Sequence, residues 1–474
     1  MMAIMAMLAT LLATSSRARA DGAFPASLSV LLPRDRPAAI VLATNFGLVS
    51  TEDDGATWSY TCETGLTLMA VGGGRYVLGP PPQDRTYAIS DVGAVYTADR
   101  GCTWASGGGA LVSLPPPALP LPFDIFPDPS NGMRVFLLAA DQAPERSFYY
   151  AFRSSDGGAT YSSPIYTSAA GVVVTGIESA SSAPGTVYLT MYQQGSPVHP
   201  SLAISTDGGD TWMVKDIEAG IGNAIPKLAA VDPADARTVY LTISSPAGAA
   251  DQYQGLAITT DGGATWAKPL NLPLGSLTGF ARLSEQVLLV TAGTPDPQSQ
   301  ATVSKLYRSE DGGHSFSNQT LSFQALGLSQ RTGTAYVATN DAADGFALVS
   351  STDGGRTWMP RLRLRDISSV KECVRAACED ACNYLVGNFV VFPAQVCTAT
   401  GPPMSKPGGG GCALAGTLAA PVAPPAAAGG RAGGAAALGA SVGVGLGLLL
   451  YRRRRRTRQA HPVQPPTRPP TRPL

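Results

Sequence analysis

Seven aspartates, Asp53, Asp99, Asp156, Asp207, Asp261, Asp311 and Asp353, recur at intervals of 42 to 57 residues. Each stands inside the phrase Ser/Thr-x-Asp-x-Gly-x-Thr/Ser closed by an aromatic residue. A carboxylate beside glycine and two hydroxyls superficially suggests a calcium ligand. Calcium asks for about six to eight oxygens, more than one such loop offers beside its own hydrogen-bonding aspartate. Outside the repeats, Asp91, Asp124, Glu145, Asp216, Glu218, Asp251, Glu285, Asp341 and Asp344 are the carboxylates that could pair across a sugar. Of three histidines, His199, His314 and His461, one lies inside a repeat loop. So few argue against nucleophile–histidine chemistry and His-based metal sites. No catalytic residue, cofactor or metal is expected from these spacings.

The same residues make better sense as a bend. In Ile204 to Trp212 an apolar strand end runs into Asp207-Gly208-Gly209, where glycine supplies the positive φ of a tight reversal. An aspartate at the start of a turn accepts from backbone N–H groups two or three residues on, and the hydroxyls satisfy others. The closing aromatic is tryptophan in five copies, Trp58, Trp104, Trp212, Trp266 and Trp358, large enough to wedge into a neighbouring unit. Seven units over about 345 residues give roughly 49 residues each, which suits a four-stranded blade. Residues 24–50 supply three strands before the first bend and 358–365 one strand after the last, so the count closes at seven, with eight the alternative.

The phrase resembles the Asp-box, or BNR repeat, of sialidases, sortilin-type receptors, xyloglucan-cleaving glycosidases and photosystem II assembly factors. Val231-Asp232-Pro233 before Thr238-Val239-Tyr240, with Asp128-Pro129 before Val135-Phe136-Leu137, is similar to a second motif of the sortilin and xyloglucanase types. The resemblance implies an all-β fold, a single seven-bladed β-propeller over residues 21–365 whose box hairpins join the third and fourth strands. It also implies that a ligand sits opposite those hairpins. Pro80-Pro81-Pro82, Pro115 to Pro122, Gln193 to Pro200 and Ala247 to Gln254 are the loops expected there. A sialidase would show a Phe/Tyr-Arg-Ile-Pro phrase, and none occurs.

The flanks point to export. Residues 3–13 are apolar and Ala18-Arg19-Ala20 fits a cleavage site, so residues 1–20 read as a signal peptide. Residues 432–451 are uncharged and long enough for a transmembrane helix, and Arg452 to Arg456 would hold the basic Pro-rich tail, residues 452–474, in the cytoplasm. Between them, 401–431 is a Gly/Pro/Ala linker holding Cys412 in a glycine run. This tail resembles the MYXO-CTERM sorting signals of myxobacterial surface proteins, which implies Cys412 as the processing and lipidation point.

Residues 366–400 form a Cys-rich segment, with a helix expected from Ser368 to Leu385. Four cysteines there, Cys373, Cys378, Cys382 and Cys397, suggest two internal disulfides, with a zinc site as rival. Cys62 and Cys102 could bridge adjacent blades or remain thiols. The chain carries 34 basic and 34 acidic residues, but ten of the basic ones lie in the signal peptide and tail. The exported part therefore carries 24 basic against 34 acidic residues, which argues against nucleic acid as ligand. A monomeric, cell-surface-anchored and non-enzymatic binding or scaffold protein with a protein or glycan ligand is the expectation. The alternatives are an exo-acting glycoside hydrolase and an envelope assembly factor.

Overall fold

The computed structural model describes residues 25–62, 76–82, 84–90, 93–110, 121–141, 148–296, 298 and 302–398. The chain divides into two compact units, 1–405 and 406–474, and every described residue belongs to the first. Residues 1–20, expected to be a signal peptide, Cys412, the apolar stretch 432–451 and the basic tail lie outside the described residues. Among the described residues no helix is long and apolar enough to cross a membrane.

Seven antiparallel sheets of four strands follow one another along the chain; the third skips the short strand Thr160–Tyr161, and the first gains a fifth strand from the C-terminal segment. Blade 1 comprises Ser27–Leu31, Ile40–Thr44, Gly47–Thr51 and Ser59–Cys62, and blade 7 comprises Gly327–Arg331, Thr334–Ala338, Leu348–Ser351 and Met359–Leu362. Each repeat phrase joins the third strand of its blade to the next strand in the chain. The second strands are the driest elements. Val135 to Ala139 are all fully buried, an unbroken apolar run rather than an alternation, because neighbouring blades cover both faces of the sheet. Direct contacts join blade 7 to blade 1: Ser27 N donates to Thr339 O (3.2 Å) and Ser329 Oγ to Val30 O (2.6 Å).

Each bend holds itself in the same way. In the fourth copy Ser205 Oγ donates to Asp207 Oδ1 (2.8 Å) and accepts from Gly209 N (2.8 Å). Thr211 donates its N–H to Asp207 Oδ1 (2.9 Å) and its hydroxyl to Oδ2 (2.6 Å). The equivalent hydroxyl bonds span 2.5–2.6 Å on Asp53, Asp99, Asp156, Asp261, Asp311 and Asp353. Those carboxylates are therefore spent on their own loops. Their ionised form accepts several hydrogen bonds, the threonine hydroxyl's first at Asp207, which holds that group well below the usual carboxylate range. The bend needs positive φ at two consecutive positions, and in the first two copies Asp54 (φ 57°) and Arg100 (φ 62°) stand at the first of them, where the other five copies have glycine.

The closing aromatics reach into the preceding blade. Trp58 packs with Tyr336 and Leu348 of blade 7, and Trp266 beside Leu202 and Ile217 of blade 4. Tyr161 lies against Tyr87 and Phe316 beside Ile258. Trp212 Nε1 also donates to Ile165 O of blade 3 (3.0 Å). Cations of the preceding blade grip the bends from outside: Arg85 donates to Gly157 O, Arg153 to Gly208 O, Lys215 to Gly262 O, Arg308 to Gly354 O and Arg361 to Asp54 O.

Two expectations are corrected at the C-terminal end. The helix begins at Arg375, not Ser368, and ends at Phe389. Ser369–Val370 is claimed by parallel pairing with the outer strand of blade 1, which becomes five-stranded, and Ser368 Oγ donates to Trp58 O instead of capping a helix. The disulfides are Cys62–Cys378, Cys102–Cys373 and Cys382–Cys397. Only the last staples the segment internally, and Cys62 and Cys102 bridge to it rather than to each other. Because the segment docks on blade 1, with Phe392 against Tyr60 at 5.3 Å between ring centroids, its cysteines lie beside those of blades 1 and 2. Six cysteines are thereby consumed without a metal, and among the described residues no cluster of metal-ligating side chains occurs.

Candidate functional site: the channel mouth

The innermost strand of every blade faces the ring's centre and leaves one edge unpaired within its own sheet. Side chains of neighbouring blades satisfy part of that edge. Asp124 accepts from Ile177 N (3.3 Å), Glu178 from Val231 N (3.0 Å) and the Gln254 side chain from Leu277 N (2.7 Å), while Thr175 Oγ1 donates to Pro226 O (2.5 Å). Asp124 is thereby placed in the wall as a structural acceptor.

Where the innermost strands end, a cavity of about 460 Å³ opens. The turn after the first strand of a blade and the bend after its third leave the sheet at the same end, so this mouth lies on the face that carries the repeat loops. Val30, Leu32, Val77, Phe126, Val231 and Phe280 are among its apolar wall. Its polar side chains are mostly committed. Arg282 Nε pairs with the buried carboxylate of Asp232 (2.6 Å), and Ser329 is bonded to Val30. Tyr240 stands over the same aspartate and stacks at 4.9 Å on Phe280, and burial pushes its phenol upward. The side chains of Arg34 and Gln330 at the rim have no hydrogen-bonding or ionic partner among the described residues. Among the lining residues there are two guanidiniums and no carboxylate.

The loops expected to meet a ligand divide between the faces. Gln193–Pro200 and Ala247–Gln254 come after second strands and lie opposite the bends, as expected. Pro80–Pro82 comes after the first strand of blade 2 and lies on the face of the bends, contrary to expectation; strand parity alone decides this. Of Pro115–Pro122, residues 115–120 lie outside the described set, as do Asp91, Glu145 and His461.

On the opposite face the structure gathers His199, Asp216 and Glu218. His199 Nδ1 meets Glu218 Oε2 at 2.6 Å, Asn223 donates to Oε1 (2.7 Å), and Glu218 N donates to Asp216 Oδ1 (2.7 Å). The His199 and Asn223 contacts, in that order, hold Glu218 below its usual range. Asp341 accepts from Leu364 N (3.1 Å) and Asp344 from Gln324 N (3.0 Å), so both are loop fasteners, and burial raises each. Asp251 and Glu285 are exposed, and His314 Nδ1 contacts Asp311 O inside its loop (2.5 Å). Sequence reasoning missed the mouth itself. Its one available signal was the Asp128-Pro129 and Asp232-Pro233 pair, which marks where two innermost strands stop.

No protein-family model matches the chain, and no curated protein matches it. Among solved structures it is similar to YCF48 from Cyanidioschyzon merolae, with 11% identity, a TM-score of 0.43, and 69% of this chain and 94% of that one covered. It is similar to a GH74 enzyme of Niastella koreensis, with 12% identity, a TM-score of 0.39, and 73% and 68% covered. A PL25 ulvan lyase bound to a sulfated disaccharide repeat gives 10% identity, a TM-score of 0.40, and 69% and 95% covered. The chain is a seven-bladed β-propeller by its own sheets, their consecutive order and their closure.

Proposed function

We propose that the protein is a monomeric, non-enzymatic binding or scaffold propeller that presents a protein or glycan ligand site at the cell surface. Signal-directed export would bring it there, and the C-terminal tail, through lipidated Cys412 in the MYXO-CTERM manner or through the apolar stretch 432–451, would hold it. The observation that carries the reading is the mouth: a cavity walled by mainly apolar side chains with main-chain polar groups between them, within the usual range for ligand sites, about 300–1,000 Å³, whose described lining carries no carboxylate pair to cleave a glycosidic bond. The seven repeat aspartates, each bonded within its own loop, are equally withdrawn from chemistry. The acidic balance of the exported part disfavours nucleic acid.

The test is binding without turnover. Purified protein is probed on glycan and peptide arrays and incubated with aryl glycosides. Saturable retention with no aryl alcohol released supports the reading, and release that tracks protein concentration overturns it. Surface anchoring is read separately: Cys412→Ser should shed the propeller into the medium, and an unchanged surface signal removes Cys412 from that role.

A further inference from the structure

The rim of the mouth holds one charge that no described residue answers. Around it the cations are committed: Arg36 to Glu52 and Asp84, Arg134 to Asp128, Arg282 to Asp232, and Arg331 to the carbonyl of Ala39. Arg34 lines the cavity, is exposed, and has no partner among the described residues; its neighbour Asp35 is not part of the lining. Its loop is fixed, because Arg331 also reaches Pro33 O (3.4 Å) and Pro33 is buried. Gln330, from the adjoining strand of blade 7, offers a free amide with one donor and one acceptor face. Inward of these two lie only apolar side chains or polar ones already bonded.

The geometry points to a protein ligand that inserts one apolar side chain into the mouth and sets a flanking carboxylate on Arg34 and a backbone amide on Gln330. This rests on the binding reading above and narrows it. Beneath the rim the side chains are apolar or already bonded, so the hydroxyls of a glycan would find only main-chain donors and acceptors there. A cationic segment would meet Arg34 unfavourably. A peptide bearing an aliphatic or aromatic residue beside an acid matches wall, charge and amide together, and a guanidinium can take its carboxylate bidentately. The exported part is acidic overall, so an acidic partner is attracted locally rather than by the whole surface.

The probe is a set of synthetic fluorescent peptides carrying Leu, Phe or Trp followed by Glu in a Gly/Ser frame, with matched sets in which Gln replaces Glu or Ser replaces the apolar residue. Fluorescence polarisation against the full-length protein should rank the Glu set about tenfold tighter than the Gln set. Arg34→Gln should erase that difference, and Arg34→Glu should invert it. Lys268→Gln, an exposed cation off the mouth, should leave it intact. Circular dichroism and the melting temperature confirm that each variant is folded. Equal binding of the Glu and Gln sets, indifference to Arg34, or no peptide binding at all overturns the inference. In each of those cases the broader binding reading stands or falls on the glycan and protein arrays alone.

Discussion

Removing the Cys102–Cys373 bridge tests the closure of the ring by its C-terminal segment. Cys102→Ser with Cys373→Ser is the perturbation of choice, because Cys373 is exposed whereas Cys62 and Cys378 are fully buried, so serine adds little packing cost. With Cys62–Cys378 intact, the second bridge closes a ring of about 45 residues, the stretch from Cys62 to Cys102 and the short one from Cys373 to Cys378. Chain-entropy theory gives such a ring about 13 cal/mol/K, or about 4 kcal/mol at 25 °C. Unfolding entropy near 2.1 cal/mol/K per residue over roughly 370 residues converts this to a fall of about 5 °C in melting temperature. Differential scanning calorimetry of the oxidised variant reads it directly. A shift below about 1 °C, or one beyond about 12 °C, would refute loop entropy as the source. Alkylation mapping checks the partners independently: Cys102→Ser alone should leave its free thiol at Cys373, and a free thiol at Cys62 would contradict the pairing.

Trp58→Ala empties a wedge between blades 7 and 1 and should cost about 3–5 kcal/mol by calorimetry, with under 1 kcal/mol sinking the account of interblade packing. The repeat carboxylates have folded pKa values depressed below their unfolded ones, so their stabilisation is present above about pH 4 and lost as pH falls further. Melting temperature should accordingly hold between pH 7 and 5 and drop between 4 and 2; a drop already under way at pH 6 would disprove it. Lys371, half-buried with its ammonium donating to Arg100 O, is pushed down to about 8, chiefly by loss of solvent and then by the Arg100 and Arg36 cations. The unfolded chain therefore binds more protons from about pH 8 upward, and stability rises with pH. The native protein should gain melting temperature from pH 7 to 9.5 relative to Lys371→Met, and parallel curves for the two would remove Lys371 from that role.

What could be read in advance was whatever folds locally. Asp207, Ser205 and Thr211 satisfy one another within seven residues, so their spacing already spells the bend. The blade count came from the period. What the linear order conceals is proximity created by closing the ring. Cys62 and Cys378 are 316 residues apart and meet only when blade 1 receives the returning segment, so no spacing rule could pair them. The same return claims Ser369 and Val370 for a strand that their helical surroundings hid. In blade 3, Thr160–Tyr161 after the bend pairs with Gly108–Gly109 of blade 2, and Tyr166–Thr167 takes the fourth place, a local exchange with no marker in the repeat. The mouth escaped notice because its wall is ordinary apolar strand, and what distinguishes Arg34 is that no described residue pairs with it.

The docked C-terminal segment also decides how the molecule bears load. A pull applied beyond Thr398 does not reach the last strand of blade 7 as a peeling force that opens hydrogen bonds one by one. Cys62–Cys378 and Cys102–Cys373 divert it into blades 1 and 2, at the opposite end of the chain. A tether leaving from this side would hang the ring from a covalent buckle, with blades 1 and 2 bearing the load in place of the last strand.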